Sequence, residues 1–194
     1  NKSNEAQYYQ NRAIEFSLLI TLPAMIGLFF LSEDLVRVMF EHGKFDHIAT
    51  RSVAYTVVGF STGLPAYILA KIFNSSFFAR QNTKTPILVA LGAMILNIIL
   101  NIGFMYFSDL YHVGIALSTS ISSWVSTFVL MLILKRRHEM LFDKGLIIFI
   151  GKILLSAVMM FAALYFMYDY VKDYVLAVNP LYIKIVGIVI LVGC

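Results

Sequence analysis

A single cysteine, Cys194, and only 13% charged residues set the first limits on this chain of 194 residues. One thiol excludes an intrachain disulfide framework and any cage of several thiolates around a metal. There is no GxxxxGK[ST] phosphate loop, which excludes ATP hydrolysis at a Walker site within the chain. His138-Glu139 is followed by Phe142 where a zinc protease helix would carry its second histidine. His42 and His47 share a loop that offers no third ligand, and no acidic or histidine pair lies deep in an apolar run. A membrane-embedded hydrolase or transferase would need such a pair. The net charge of +4 is too small to argue for nucleic acid as a partner.

Apolar residues fill the space these absences leave. They make up 60% of the chain, and the mean hydropathy is positive, outside the range of ordinary soluble domains. A bilayer core of roughly 30 Å needs about 20 apolar residues per helix. Five stretches meet that length, at Ala13–Leu31, Ser52–Phe73, Ile87–Phe107, Val113–Leu134 and Leu146–Met167. A sixth, Leu181–Cys194, is apolar to its last residue but short for a span, as if truncated. The expected fold is all-α, a polytopic transmembrane bundle of four helices over residues 1–135 with two more over 146–194. The opening at Asn1, in a polar segment, reads as a piece of a longer transporter-like protein.

The connections add detail. Ser32, followed by Glu33 and Asp34, reads as the capped and acid-rich first turn of a short helix near residues 33–42. Leu35, Val36, Met39 and Phe40 would lay one apolar face on the outer membrane surface, and Gly43 would end it. Thr85 before Pro86 reads as a cap and first-turn proline for the third span. The turn Ser108–His112 is short enough to make spans three and four a tight antiparallel hairpin. With the chain start in the cytoplasm, Lys2, Arg12, Lys71, Arg80, Lys84, Lys135, Arg136, Arg137, Lys144 and Lys152 lie inside. Arg37, Lys44, Arg51, Lys172 and Lys184 lie outside, so the positive-inside rule favours this orientation. Tyr106, Tyr111, Tyr165, Tyr168, Tyr170, Tyr174 and Tyr182 gather at the outer ends as an interfacial belt would.

Polar groups and helix breakers inside the spans are the candidate functional positions. Pro23 removes a hydrogen bond to the Leu19 carbonyl, and Pro65, beside Gly59 and Gly63, removes one to Ser61. Pro23, Gly63 and Pro65 are therefore candidate hinges for alternating access. Asn97 and Asn101 lie one turn apart, opposite a helix carrying Thr119, Ser122, Ser123, Ser126 and Thr127 on what reads as a shared face. This seam is either close packing between small polar residues or a hydrated path with a cation site. Lys71, one turn after Tyr67, either snorkels to the interface or meets an anionic headgroup. Arg12 and Glu15 are spaced for a local ion pair, and Trp124 reads as packing.

Three segments carry more specific information. Phe40-Glu-His-Gly-Lys-Phe-Asp46, Gly63-Leu-Pro-Ala-Tyr-Ile-Leu-Ala-Lys71 and Phe77-Phe-Ala-Arg-Gln-Asn-Thr-Lys-Thr-Pro86 resemble, in order and spacing, the bacterial MurJ/MviN lipid II flippase family. The Asn97/Asn101 helix and His112-Val-Gly-Ile-Ala-Leu117 continue the resemblance across nearly the whole chain. It implies a multidrug/oligosaccharidyl-lipid/polysaccharide exporter fold, with two six-helix lobes in a V around a cavity and two further helices. This chain would supply the last six of the fourteen helices. The final pair would line a groove for a polyprenyl tail. The implied activity is flipping of lipid II, the lipid-linked peptidoglycan precursor, between leaflets of the inner membrane, with membrane lipids as the other partner. The resemblance further implies a possible sodium site at Asn97 and Asn101 with Ser118 or Thr119, and no other cofactor. A polysaccharide-repeat flippase or a multidrug antiporter of the same superfamily is the alternative, and a purely structural membrane scaffold would lack a use for bent helices and buried asparagines.

Overall fold

A computed structural model of the protein describes residues 2–41, 46–107, 111–137 and 144–175. Gly43, the turn at 108–110 and the stretch Leu181–Cys194 lie outside the described residues. All regular structure among the described residues is helical, in six elements. These are α1 (Lys2–Phe40), α2 (His47–Ser61), α3 (Leu64–Ala79), α4 (Lys84–Phe107), α5 (Tyr111–Arg136) and α6 (Lys144–Val175). α2 and α3 run on from one another, so five units are long and apolar enough to cross a membrane, and the protein is a multi-pass membrane protein.

The helices stand in a row. α1 packs against α2, α3 and α6, α5 packs against α2, α3 and α4, and the α2–α3 unit is held between α1 and α5. α4 and α6 flank the row, and most of their apolar side chains, such as Leu88, Ile95, Leu155 and Met159, are exposed. That is the surface lipid would cover. At the end of the bundle near the α1 N-terminus, Ile14, Leu18, Phe73, Phe77, Leu130, Leu134, Leu146 and Ile153 form a buried cluster joining α1, α3, α5 and α6. Arg12 and Glu15 beside it form the ion pair their spacing suggests, with Glu15 buried.

The short surface helix near residues 33–42 does not form, because α1 continues without interruption to Phe40. Ser32 and Val36, one turn apart, are both buried, so continuing the helix keeps that face inside the bundle where a surface helix would have lifted it out. Glu33 and Asp34 thus fall near the C-terminus of α1, where carboxylates oppose the helix dipole. Arg37 compensates, with its guanidinium 2.8 Å from Glu33, 3.6 Å from Asp34 and 3.4 Å from Glu41. Glu41 in turn accepts the hydroxyl of buried Thr50 at 3.0 Å, and Asp46 caps α2 by accepting the Ala49 N–H at 2.9 Å.

A further correction concerns the second span. The stretch 52–73 is not one helix but the inner part of α2 and α3, which stop and restart at Thr62–Gly63. Pro65 sits in the first turn of α3, where its missing N–H costs least. The cap of α4 also lies three residues earlier than expected. Asn82, not Thr85, supplies it, accepting the Thr85 N–H at 3.3 Å while its own amide donates to the Thr85 hydroxyl at 3.0 Å. The turn before it closes α3 with a Schellman pattern, in which Asn82 N–H bonds Phe77 O and Gln81 N–H bonds Phe78 O. Gln81 takes φ 58°, the left-handed position that glycine usually fills.

Candidate functional site

α5 is polar on two faces, and each face meets a different helix. Toward α4, Ser118 donates to the Asn101 carbonyl oxygen at 2.6 Å, with the Gly114 carbonyl at the same distance as its competing acceptor. Asn101 donates to Asn97 at 3.0 Å, Asn97 donates to the Thr119 hydroxyl at 3.2 Å, and Thr119 donates to the Ile115 carbonyl at 2.8 Å. Asn97, Asn101, Ser118 and Thr119 therefore come together as one relay that starts at the Ser118 hydroxyl and ends on the α5 backbone. Gly114 permits the approach, since a Cβ there would lie 2.8 Å from the Phe104 Cβ. As oxygen donors the four side chains are neutral, and both amide oxygens already accept a hydrogen bond. Among the described residues no group of three or more His, Cys, Asp or Glu side chains could hold a metal ion.

The opposite face of α5 addresses the break between α2 and α3. Ser120 donates to the Gly59 carbonyl at 2.7 Å, the Trp124 indole donates to the Thr62 carbonyl at 3.0 Å, and the Thr127 hydroxyl reaches the Ala66 carbonyl at 2.9 Å, with the Ser123 carbonyl at 2.8 Å as its competing acceptor. Where a helix stops, carbonyls lose their partners four residues on. The Gly63 N–H, which would have served Gly59, bonds Phe60 instead, leaving Gly59 to the hydroxyls of Thr62 at 2.8 Å and Ser120, and Pro65 has no N–H to offer Ser61. Inside a bilayer such groups have no water to turn to. Interhelical hydrogen bonds in membranes average about 0.6 kcal/mol with a maximum near 1.7, so three together contribute about 2–5 kcal/mol.

Small residues make this contact close. A Cβ on Gly59 would fall 2.8 Å from the Ala116 Cβ, and one on Gly63 would fall 2.7 Å from the Ser120 hydroxyl and 2.9 Å from the Tyr67 ring. Ala116, Ser120 and Thr127 are all buried.

The expected hydroxyl stripe facing Asn97 and Asn101 is thus divided. Thr119 faces α4 as its spacing suggests, whereas Thr127 turns to α3 because its register follows Ser120 and Trp124. Ser122 is buried with its hydroxyl unpartnered among the described residues, and Ser123 offers its carbonyl to Thr127 at 2.8 Å. Ser126 is half-buried. Trp124 does more than pack, a role hidden in the sequence because its partner is a backbone carbonyl 62 residues away. The remaining candidates stand apart from this seam. Lys71 is exposed on α3, and exposed Pro23 lies within an uninterrupted α1.

The sequence matches known proteins along nearly all of its length. It is 34% identical over 197 residues to a probable lipid II flippase MurJ of Rickettsia prowazekii (strain Madrid E), covering 99% of this chain and 38% of that protein. Against a protein of the same name from Rhizobium meliloti (strain 1021) it is 35% identical, covering 92% of this chain and 33% of the relative. The lipid II flippase MurJ of Thermosipho africanus (strain TCF52B) is 34% identical over 70% of this chain and 28% of its own length. The chain therefore spans between about a quarter and two fifths of the relatives it matches. The family model described as lipid II flippase MurJ matches residues 1–184, and the chain belongs to that family.

Proposed function

We propose that this chain is part of a flippase that moves lipid II, the lipid-linked peptidoglycan precursor, from the inner to the outer leaflet of the bacterial cytoplasmic membrane, as a transporter and not as an enzyme. The observation that carries the reading is the family match over residues 1–184 to proteins named for that activity. The bundle supports it in a specific way. Moving an anionic headgroup past a low-dielectric core calls for helices that hold irregular backbone away from lipid, and the α2–α3 break with its three α5 donors is such a device. Lys71, exposed at the α3 end that the positive-inside rule places in the cytoplasm, would meet the diphosphate as it enters. The same rule puts the chain start inside.

The relay through Asn97, Asn101, Ser118 and Thr119 is assigned to packing between α4 and α5 in preference to a sodium site. What supports this is that both amide oxygens and the Thr119 hydroxyl already accept a hydrogen bond and that no carboxylate stands among the four side chains, so an ion would compete with the Ser118 and Asn101 donors.

The test uses bacteria depleted of their own lipid II flippase and supplied with the full-length parent of this chain. Outer-leaflet lipid II is scored with an externally added enzyme that cleaves it. Restored exposure is expected, and its absence with the protein present in the membrane would overturn the assignment.

A further inference from the structure

We infer that Ser120, Trp124 and Thr127 are positioning residues that lock the α2–α3 break into one fixed bend, so that α2, α3 and α5 travel as a single rigid body whatever the protein carries. The pattern of donors and acceptors makes the case. Residues 120, 124 and 127 follow one another along one face of α5, and they reach carbonyls at 59, 62 and 66, in the same chain direction. One acceptor lies in α2, one at the break itself and one in α3. A change in bend angle at Thr62–Gly63 must therefore lengthen at least one of the three bonds.

The contact has no slack to absorb such a change. Gly59 lies against Ala116 and Gly63 against Ser120, each without room for a Cβ. Gly59 also accepts the Thr62 hydroxyl at 2.8 Å and Ala66 lies within α3, so the acceptor most exposed by opening a bond is the Thr62 carbonyl, which Trp124 serves at the break itself. Glycine and proline in a membrane helix read as a hinge from sequence. Here their use is to shape a bend and bring α5 within hydrogen-bonding distance of it, and the large movements of a transport cycle fall at other boundaries between helices.

The experiment is a distance measurement in the full-length parent, freed of native cysteines and reconstituted in lipid nanodiscs. Spin labels go on exposed Ser52 of α2 and exposed Ser75 of α3, about 35 Å apart at 1.5 Å per residue. A single narrow distance is expected in the otherwise unaltered protein. Trp124→Phe combined with Ser120→Ala and Thr127→Val is expected to broaden the distribution at least twofold or add a second distance. Two distances in the unaltered protein would overturn the inference, and so would a triple variant as narrow as its parent, even with a lowered melting temperature, since that would leave the three side chains as packing alone. Should the triple variant not reach the membrane, Trp124→Phe carries the same test. Broadening in it upholds the lock and an unchanged width overturns it.

Discussion

Replacing Gly59 by alanine tests how tightly α2 and α5 are matched. The new Cβ would meet the Ala116 Cβ at 2.8 Å, whereas carbon atoms pack best at about 3.5–4.0 Å. Both atoms are fixed to helix backbone, so neither can swing aside, and the helices must part by roughly 0.7–1.2 Å. That separation stretches the 2.7 Å Ser120–Gly59 hydrogen bond beyond useful length. Overpacking of this kind costs about 1–3 kcal/mol and the lost bond about 0.6–1.7. Alanine's better helix propensity returns close to 1 kcal/mol. The net expectation is a loss of about 1–3 kcal/mol, read as a lower melting temperature of the full-length parent in mild detergent. The decisive arm is the second-site change Ala116→Gly. It removes the offending carbon and leaves the nearest α5 atoms at 3.6 Å, an ordinary contact. The double variant should therefore be more stable than the sum of the single changes by at least about 1 kcal/mol. A Gly59→Ala protein as stable as its parent, or strict additivity with Ala116→Gly, would refute the close-approach reasoning.

Three further outcomes are expected. Gln81→Gly relieves a side chain held at positive φ and should raise stability by about 0.5–1 kcal/mol, whereas Gln81→Val should lower it by more than 1, both read as melting temperature. Arg37→Gln strips the shared partner from Glu33, Asp34 and Glu41 and should cost about 1–3 kcal/mol, with Arg37→Lys recovering only part, as measured by thermal unfolding. Asn97→Leu with Asn101→Leu should lower stability by about 1–2 kcal/mol, and exchanging sodium for choline is expected to leave the melting temperature of both the parent and the double variant unchanged. Sodium-dependent stabilisation of the parent that vanishes in the double variant would instead place the ion at those asparagines.

Length and apolarity were enough to find the spans, because a bilayer imposes the same requirement on every helix that crosses it. The Asn97–Thr119 contact was legible too, since both side chains are polar and Asn97 has Asn101 one turn on along the same face of its helix. Ser120, Trp124 and Thr127 were harder, because their acceptors are backbone carbonyls of Gly59, Thr62 and Ala66, and every residue carries one of those. Only the broken geometry at Gly63 brings those carbonyls within reach of α5. The false surface helix failed for a related reason. Ser32-Glu33-Asp34 is a good local start signal, but burial of Ser32 and Val36 and the pairing of Arg37 outweigh a cap worth about 1 kcal/mol.

The long sequence gap between the bend and its donors also matters while the protein is being made. Gly59, Thr62 and Ala66 leave the ribosome 61 or 62 residues ahead of Ser120, Trp124 and Thr127. At about 5–20 residues per second, that is roughly 3–12 s. During that interval the Thr62 carbonyl at the middle of the α2–α3 segment lacks its Trp124 donor, just as Asn97 and Asn101 of α4 lack theirs on α5. The second span therefore completes its hydrogen bonding only once the hairpin that follows it has been made, and its full stability in lipid arrives with α5.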